Sequence, residues 1–506
     1  MKNEMDEKQS IRVNGLEKIV QKGILISEVL QEEAGFRMPC AGHGRCGKCK
    51  VQAWGMLSEP NEKERKYLTE HELAQGIRLA CQTSVLGECT IRSLDAGDME
   101  VVMGSTKITD GVSLFQKLGA AVDIGTTTLA VSVYDKNGLV GQAGSVNPQV
   151  AYGADVISRI EQSLNGKGKQ LAQAVRSQIA DLLRGVCEAG GYHVAEIDTL
   201  VITGNTAMLY LLTNRNPLEL SRAPFIANWL AGEWVSAKEL ELGCPNAKVY
   251  LPHCISAFVG ADITMALLQT DICKDEKKRL LVDIGTNGEV ALWTGEKLLC
   301  CSTAAGPAFE GTGLSMGMTA SAGAISKVTL QDGEFHVQVI GNQQTIGICG
   351  SGVIDAISCL LQGEIMDETG FLEEEEVSIA GNVKLTQEDI RKIQLAKSAI
   401  CAGIEAALNK EGIATGDLEE LLVAGGFGSK IDLENAMNIG LLPKMDANKI
   451  KVCGNAALAG AEQLLCNGEL LEREKKLVQI SQSLNLATDS FFQERYIEGM
   501  LFLGDD

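Results

Sequence analysis

One heptapeptide constrains this chain more than any other feature. Val122-Asp123-Ile124-Gly125-Thr126-Thr127-Thr128 is answered 160 positions later by Val282-Asp283-Ile284-Gly285-Thr286-Asn287-Gly288. Both copies lie between β-rich apolar runs, Ala120–Val122 and Leu129–Tyr134 around the first, Leu280–Val282 and Val290–Trp293 around the second. Strand, tight glycine turn and strand is the expectation for each. Such a turn gathers backbone N–H groups and hydroxyls at one point, where an anion can sit. The Asp ending the first strand suits a hydrated Mg²⁺, a hard cation that prefers carboxylate and phosphate oxygen. One Asp-Ile-Gly is an ordinary hairpin. Two facing each other would cradle a nucleoside triphosphate from both sides.

The surrounding pattern is duplicated as well. From Gly119 onward strands and helices alternate in the α/β manner. The first half has a helix opening at Gly153–Ile160, a long helix over 169–188, a strand Thr199–Thr203 running into Gly204-Asn205-Thr206, and Phe258–Asp262 leading into a helix. The second half has Gly350-Ser351-Gly352 as a turn into a helix over 353–361, a long helix over 386–409, and a strand Leu421–Ala424 ending in Gly425-Gly426-Phe427-Gly428. A small-residue helix follows from Gly454 to Cys466. A cleft between two such halves is expected. No G-x-x-x-x-G-K-[ST] loop occurs, and Gly311-Thr312-Gly313 is too weak for a dinucleotide site.

Residues 1–94 differ in character. They hold 14 basic and 13 acidic side chains, leaving 31 basic and 53 acidic to the remainder. The net charge of −21 argues against nucleic acid or anionic membrane as a main partner. There are 16 Cys, a polar start at Met1–Ser10 and no apolar run of membrane-spanning length. These features predict a cytoplasmic protein whose thiols are free or metal-bound. Cys40, Cys46 and Cys49 stand on one glycine-rich loop in C-x5-C-x2-C spacing, and Cys81 follows after a 31-residue gap. Gly42, Gly44 and Gly47 let the loop wrap and turn N–H groups toward sulfur. Four thiolates so arranged suit a [2Fe–2S] cluster; zinc is the alternative tenant, though its sites usually pair two ligand doublets. Cys89 reads as strand packing. His43 reads as a loop residue, since a Rieske centre needs two His. Ile11–Val13 and Lys50–Ala53 are strand expectations, and 24–34 and 62–74 helix expectations.

The N-terminal stretch resembles [2Fe–2S] ferredoxins of β-grasp fold, with a five-residue first gap as in adrenodoxin-like members. The body resembles the actin-like ATPase superfamily. Its phosphate loops match 123–128 and 283–288, its adenosine motif Ala424–Gly428, and its connecting helices Gly153–Ile160 and Gly454–Ala461. The combination, together with Ala304-Ala305-Gly306-Pro307-Ala308-Phe309-Glu310-Gly311 and the aromatic tail Phe491-Phe492 to Phe502, is similar to the reductive activators of corrinoid proteins. The resemblance implies an α+β and α/β chain in five parts: a ferredoxin domain at 1–94, a linker at 95–118, actin-like (ribonuclease-H-like) ATPase lobes at 119–278 and 279–475, and a tail at 476–506 packed on the ATPase. Longer family members carry an extra domain between ferredoxin and ATPase, through which a homodimer can be built; here about two dozen residues stand there.

The implied activity is that of an ATP-hydrolysing iron-sulfur activator. It returns one electron to a corrinoid protein of a methyltransferase system, converting inactive Co(II) to Co(I), and is itself supplied by a low-potential donor. Its cofactors would be the cluster on Cys40, Cys46, Cys49 and Cys81, ATP and Mg²⁺. Asp123 and Asp283 would be catalytic. Gly125, Thr126, Thr127, Thr128, Gly204, Asn205, Gly285, Thr286, Asn287, Gly425 and Gly426 would bind nucleotide. Plant-type clusters lie near roughly −400 mV and the family's cobalt couple is lower, so ATP must bias an uphill transfer, at about 2.3 kcal/mol per 100 mV. Differential affinity for two states can supply such a bias. A strand over 297–300 would deliver Cys300-Cys301-Ser302-Thr303 to a loop at the lobe surface. There Ser302 is either a local turn hydroxyl or a weak axial oxygen ligand for Co(II). Activation of another low-potential metalloenzyme such as a radical dehydratase, small-molecule phosphorylation, and a nucleotide-gated regulatory module are the competing readings; the four thiols weigh against the first and the third, and for the second no sequence feature chooses a catalytic base among several candidate Asp.

Overall fold

The computed structural model describes residues 8–30, 36, 38, 40, 42–44, 47–93, 111–311, 313–426 and 430–502. Cys46, Thr312, Phe427, Gly428, linker residues 95–110 and helix residues 31–34 lie outside them. The N-terminal sheet is built from β1 (Lys8–Val13), β2 (Leu16–Gln21), β3 (Lys50–Leu57), β4 (Ile77–Leu79) and β5 (Val85–Ser93), in the order β2-β1-β5-β3-β4. Only β1 and β5 run parallel. Helix α1 (Ile26–Leu30) buries Ile26, Val29 and Leu30 against this sheet. The single helix expected over 62–74 is two, α2 (Glu62–Tyr67) and α3 (Glu70–Ala74). Leu68 turns extended and buries its side chain, and Thr69 starts a new cap, accepting from Glu72 N at 3.2 Å while Glu72 accepts from Thr69 N at 2.8 Å.

The next sheet begins with the meander β6 (Leu118–Ile124), β7 (Thr128–Asp135) and β8 (Gly138–Val146); β6 takes the last residue assigned to the linker. Helices α4 (Val156–Gln162) and α5 (Gly168–Ala189) lead to β9 (Ile197–Gly204) and α6 (Thr206–Leu212). Then come β10 (Glu233–Ser236), β11 (Lys248–Leu251) and α7 (Ala261–Thr270). The strand order is β10-β11-β9-β6-β7-β8.

A second meander follows: β12 (Arg279–Ile284), β13 (Gly288–Trp293) and β14 (Leu298–Thr303). A side hairpin, β15 (Ala324–Gln331) and β16 (Glu334–Val339), with β17 (Gly347–Ile348), precedes α8 (Gly350–Gln362). Gly350-Ser351-Gly352 thus form the first turn of α8 itself and not a preceding turn. The hairpin β18 (Glu376–Ala380) and β19 (Val383–Thr386) leads into the long α9 (Gln387–Glu411). The chain closes with β20 (Glu420–Ala424), α10 (Leu433–Asn438), β21 (Ile450–Gly454), α11 (Ala456–Cys466), α12 (Leu470–Ile480), β22 (Ser481–Ser483) and α13 (Ser490–Glu498). Its sheet order is β21-β20-β12-β13-β14-β22.

The two large sheets repeat one plan. In each, three antiparallel strands continue into two parallel ones, β8-β7-β6-β9-β11 in the first and β14-β13-β12-β20-β21 in the second. Small or slim residues on the facing sides of the sheets, Ala121, Ala130 and Val201 against Leu281, Ala291 and Leu422, admit α7 and α11 between them in one buried cluster. The antiparallel turns 125–127 and 285–287 therefore meet at one cleft. Phe502 is buried in the second lobe's core, and α13 packs on α9.

Candidate nucleotide cleft and cluster loop

Asp123 and Asp283 are the penultimate residues of β6 and β12, and the cleft between the turns is lined by both. Gly125, Thr126, Thr127, Thr128, Asn205, Gly285, Thr286, Asn287, Gly425 and Gly426 line it too. Gly425 has φ +108°, and a Cβ there would come within 2.4 Å of Ile284 O and 2.8 Å of Asp283 Oδ1, so the chain passes over the second hairpin only as glycine. Gly204 is absent from the lining. It closes the β9 ladder, where a Cβ would stand 2.7 Å from Ile124 O, so its part is the approach of two strands. Asn205 caps α6, accepting from Met208 N at 2.9 Å and donating to Thr126 Oγ1 at 3.3 Å; it fixes the first turn.

Several residues that sequence reasoning passed over complete the cleft. Asp262, at the start of α7, and Glu289 both line it, and Glu289 lies directly across the ladder from Asp283. Glu310 accepts from Thr286 Oγ1 at 2.8 Å and from Thr127 Oγ1, joining the two turns. Asn455, the N-cap of α11, donates to Asp123 Oδ2 at 2.9 Å. Behind the first turn the buried Arg159 donates to Thr126 O and, at 2.8 Å, to Gly153 O. Burial brings its guanidinium down to about 9, partly offset by Asp155 and Glu310.

The acids repel one another in a space poor in water. Burial raises Asp123 to about 6, against the Asn455 hydrogen bond. Burial, then Asp123 and Glu310, raise Asp283 to about 7. Asp262 reaches about 8 through burial and the two other Asp, despite the N–H of Ile263. Glu289 and Glu310 are raised as well, burial first. Such a set calls for a cation. Among the described residues no three Asp, Glu, His or Cys side chains converge closely enough to hold one alone.

Three of the four expected cluster ligands, Cys40, Cys49 and Cys81, are among the described residues. Cys40, Cys49 and Cys81 are buried, and Cys49 Sγ stands 3.3 Å from Cys81 Sγ. Gln82 Nε2 donates to Cys81 Sγ at 3.3 Å, and the Gly44 N–H favours the same thiolate. With Cys49 as the main cause, Cys81 is lowered to about 7, which suits a thiolate ligand. Cys89 lies in β5, buried, its thiol pushed up by burial. Residues 300–302 correct an expectation. They belong to β14, paired on one edge with β13 and on the other with β22. Cys300 and Cys301 are buried rather than delivered to a surface loop, because both faces of the strand are covered. Ser302 is half-buried and donates to Glu289 Oε1 at 3.4 Å.

Residues 11–86 match the 2Fe-2S iron-sulfur cluster binding domain, residues 118–275 the RACo middle region, and residues 277–506 the C-terminal domain of RACo, the ASKHA domain. The corrinoid activation enzyme RamQ of Eubacterium limosum is 34% identical over 448 residues, 81% of this chain and 74% of that one. The chain belongs to the family of reductive activators of corrinoid proteins. A second relative of the activator, the [Co(II) methylated amine-specific corrinoid protein] reductase of Methanosarcina barkeri, is 26% identical over 418 residues, 75% of this chain and 76% of that one. The solved structure of a reductive activator for corrinoid, iron-sulfur protein superposes with TM-score 0.73 and 26% identity, covering 98% of the activator and 99% of that chain. Among the described residues no helix of the activator is long and apolar enough to cross a membrane.

Proposed function

We infer that this activator uses ATP to drive one electron onto a corrinoid protein, taking its cobalt from Co(II) to Co(I), and that a low-potential donor refills it. The observation that carries the ATP part is the pair of facing hairpins, with Thr127 and Thr286 hydroxyls converging on one point between Asp123 and Asp283. Phosphates would take these hydroxyls and the turn amides. Asp123 and Asp283 would hold Mg²⁺ with phosphate oxygens, each carboxylate fixed by its own strand end, and Asn455 would orient Asp123. Gly425 lets the chain cross the second hairpin, and Gly426 leaves open space beside which the adenosine would lie. Cys40, Cys46, Cys49 and Cys81 would hold a [2Fe–2S] cluster, which would supply a single electron of low potential. The protein's own contribution is to exclude water around the thiolates and to aim Gln82 and Gly44 donors at Cys81.

The electron goes uphill, so ATP acts on affinity: a state that holds the Co(II) partner better than the Co(I) partner releases the product after reduction. The test is anaerobic. Reduced activator is mixed with a purified Co(II) corrinoid protein, with and without Mg²⁺-ATP, and the Co(I) absorption is followed. Growth of that band only with ATP is expected. Equal reduction without nucleotide would overturn the ATP role, and none under either condition would overturn the redox role.

A further inference from the structure

Each phosphate hairpin is gripped from outside by a segment that also touches the ferredoxin. On the first lobe, Asn147 Nδ2 donates to Gly125 O and Asn147 N to Thr127 O, both at 2.8 Å. Three residues on, Val150 O accepts from Met38 N at 3.3 Å. On the second lobe, Gly306 N donates to Thr286 O at 2.8 Å, and Glu310 follows with its hold on Thr286 and Thr127. A few residues further, Leu314 O and Ser315 O accept from Lys48 Nζ at 2.6 and 3.2 Å. Met38 stands two residues before Cys40, and Lys48 lies between Cys46 and Cys49. The loop thus stands with one foot on each lobe, and each foot is a few residues from a group that a phosphate would engage.

The feet are unequal. Buried apolar packing runs continuously from the ferredoxin into the first lobe, through residues such as Met38, Ala151 and Tyr152. The second foot is a half-buried ammonium on two carbonyls. Those carbonyls cannot follow the ferredoxin. Ser315 N is held at 2.7 Å by Asp389, at the start of α9, and Gly313 O at 2.8 Å by Lys392 of the same helix. Glu310 meanwhile occupies the hydroxyls that phosphate needs, and carboxylate and phosphate repel each other. A bound nucleotide would compete with Glu310 for these hydroxyls as the anion joining the two hairpins.

We propose that Lys48 and Glu310 are positioning residues through which nucleotide phosphate unseats the cluster loop from the second lobe, leaving it on the first and opening the cluster edge to a partner. The proposal rests on the nucleotide reading above. The test uses cluster-loaded protein with Mg²⁺ and a non-hydrolysable ATP analogue, its binding measured calorimetrically in the same samples. The readout is the rate at which an iron chelator bleaches the visible absorption. Nucleotide should speed bleaching roughly tenfold, the worth of one charge-assisted hydrogen bond. Lys48→Met should bleach fast with or without nucleotide, Lys48→Arg should restore the dependence, and Glu310→Gln should shrink it. Should Lys48→Met fail to take up iron, amide hydrogen exchange over residues 313–318 of the wild type reads the same foot, and faster exchange with nucleotide is expected. Bound nucleotide that changes neither bleaching nor exchange, or a Lys48→Met protein that responds as the wild type does, overturns the coupling and leaves the nucleotide site standing. No nucleotide binding by the wild type would overturn both.

Discussion

Glu64 is fully buried in the ferredoxin domain and should decide whether the cluster stays in place. Its carboxylate accepts from Arg78 Nε and Nη2, both at 2.9 Å, from Leu79 N at 3.1 Å, from Thr83 Oγ1 at 2.9 Å and from Asn61 N at 3.3 Å. Three of these donors flank Cys81, so one side chain of α2 sets the position of the fourth ligand. Removing one member of a buried, hydrogen-bonded pair strands the other, at a cost of about 3–5 kcal/mol. Here the stranded group is Arg78, 7% exposed, left with its bond to Ser58 O at 2.8 Å. A domain worth about 5–15 kcal/mol would lose a large share of its stability. Glu64→Ala should therefore lower the ferredoxin melting transition and speed iron loss to a chelator. Glu64→Met combined with Arg78→Met should recover much of it, since a well-packed apolar pair replaces the ions. Acid should mimic the substitution. Burial raises the Glu64 carboxyl, but Arg78, Leu79 N–H and Thr83 outweigh it, and the net is a value below the ordinary 4.5. The stabilisation is complete above that ordinary value and is lost as pH falls through the depressed one. A Glu64→Ala protein that melts within about 1 kcal/mol of wild type, as exposed pairs do, and keeps its iron would refute the reasoning.

Three further outcomes are expected. Asp283→Asn should lower ATP hydrolysis by orders of magnitude and leave the cluster spectrum unchanged; undiminished turnover would retire the two-lobed site. Asp283 and Asp262 are raised by burial and mutual repulsion to about 7 and about 8, so nucleotide-free protein should lose stability as pH rises from the ordinary 3.8 through those values, and Mg²⁺-nucleotide should restore it; a melting temperature flat over that window would contradict the crowding. Ser in place of Cys40, Cys46, Cys49 or Cys81 should bleach or shift the visible bands, whereas Cys89→Ser should not, and iron loss from Cys89→Ser alone would change the ligand set.

The duplicated hairpins were legible because a strand, an Asp and a glycine turn are all local. What escaped depends on chain passing over chain. Glu310 sits on a short turn after Pro307 with no periodicity to mark it, and only the approach of the two lobes brings it to both Thr127 and Thr286. The break at Leu68 was visible in principle, since Asn61-x-x-Glu64 and Thr69-x-x-Glu72 are successive capping boxes. Helical periodicity across 62–74 hid it. The surface placement expected for Cys300 and Cys301 failed because both faces of β14 are covered, and at 298–300 its edge gains a partner, β22, from far along the chain. No local pattern records that.

Glu289 could have been found from turn geometry alone, and it changes the view of the repeat. A three-residue turn at 285–287 puts Glu289 across from Asp283, whereas the same position in the first hairpin, across from Asp123, is Ala130. The strand order is duplicated; the acid is not. The first lobe brings one hairpin carboxylate, and Asn455 from α11 steadies it. The second brings two, both raised by burial. The two hairpins therefore carry unequal charge, although Asp262 at the start of α7 adds an acid from the first lobe. Ser302 hydrogen-bonds to that uneven acid. A cation drawn toward Glu289 would alter the acceptor this hydroxyl sees, so a change at the phosphates is felt within one strand of the hairpin without any lobe moving.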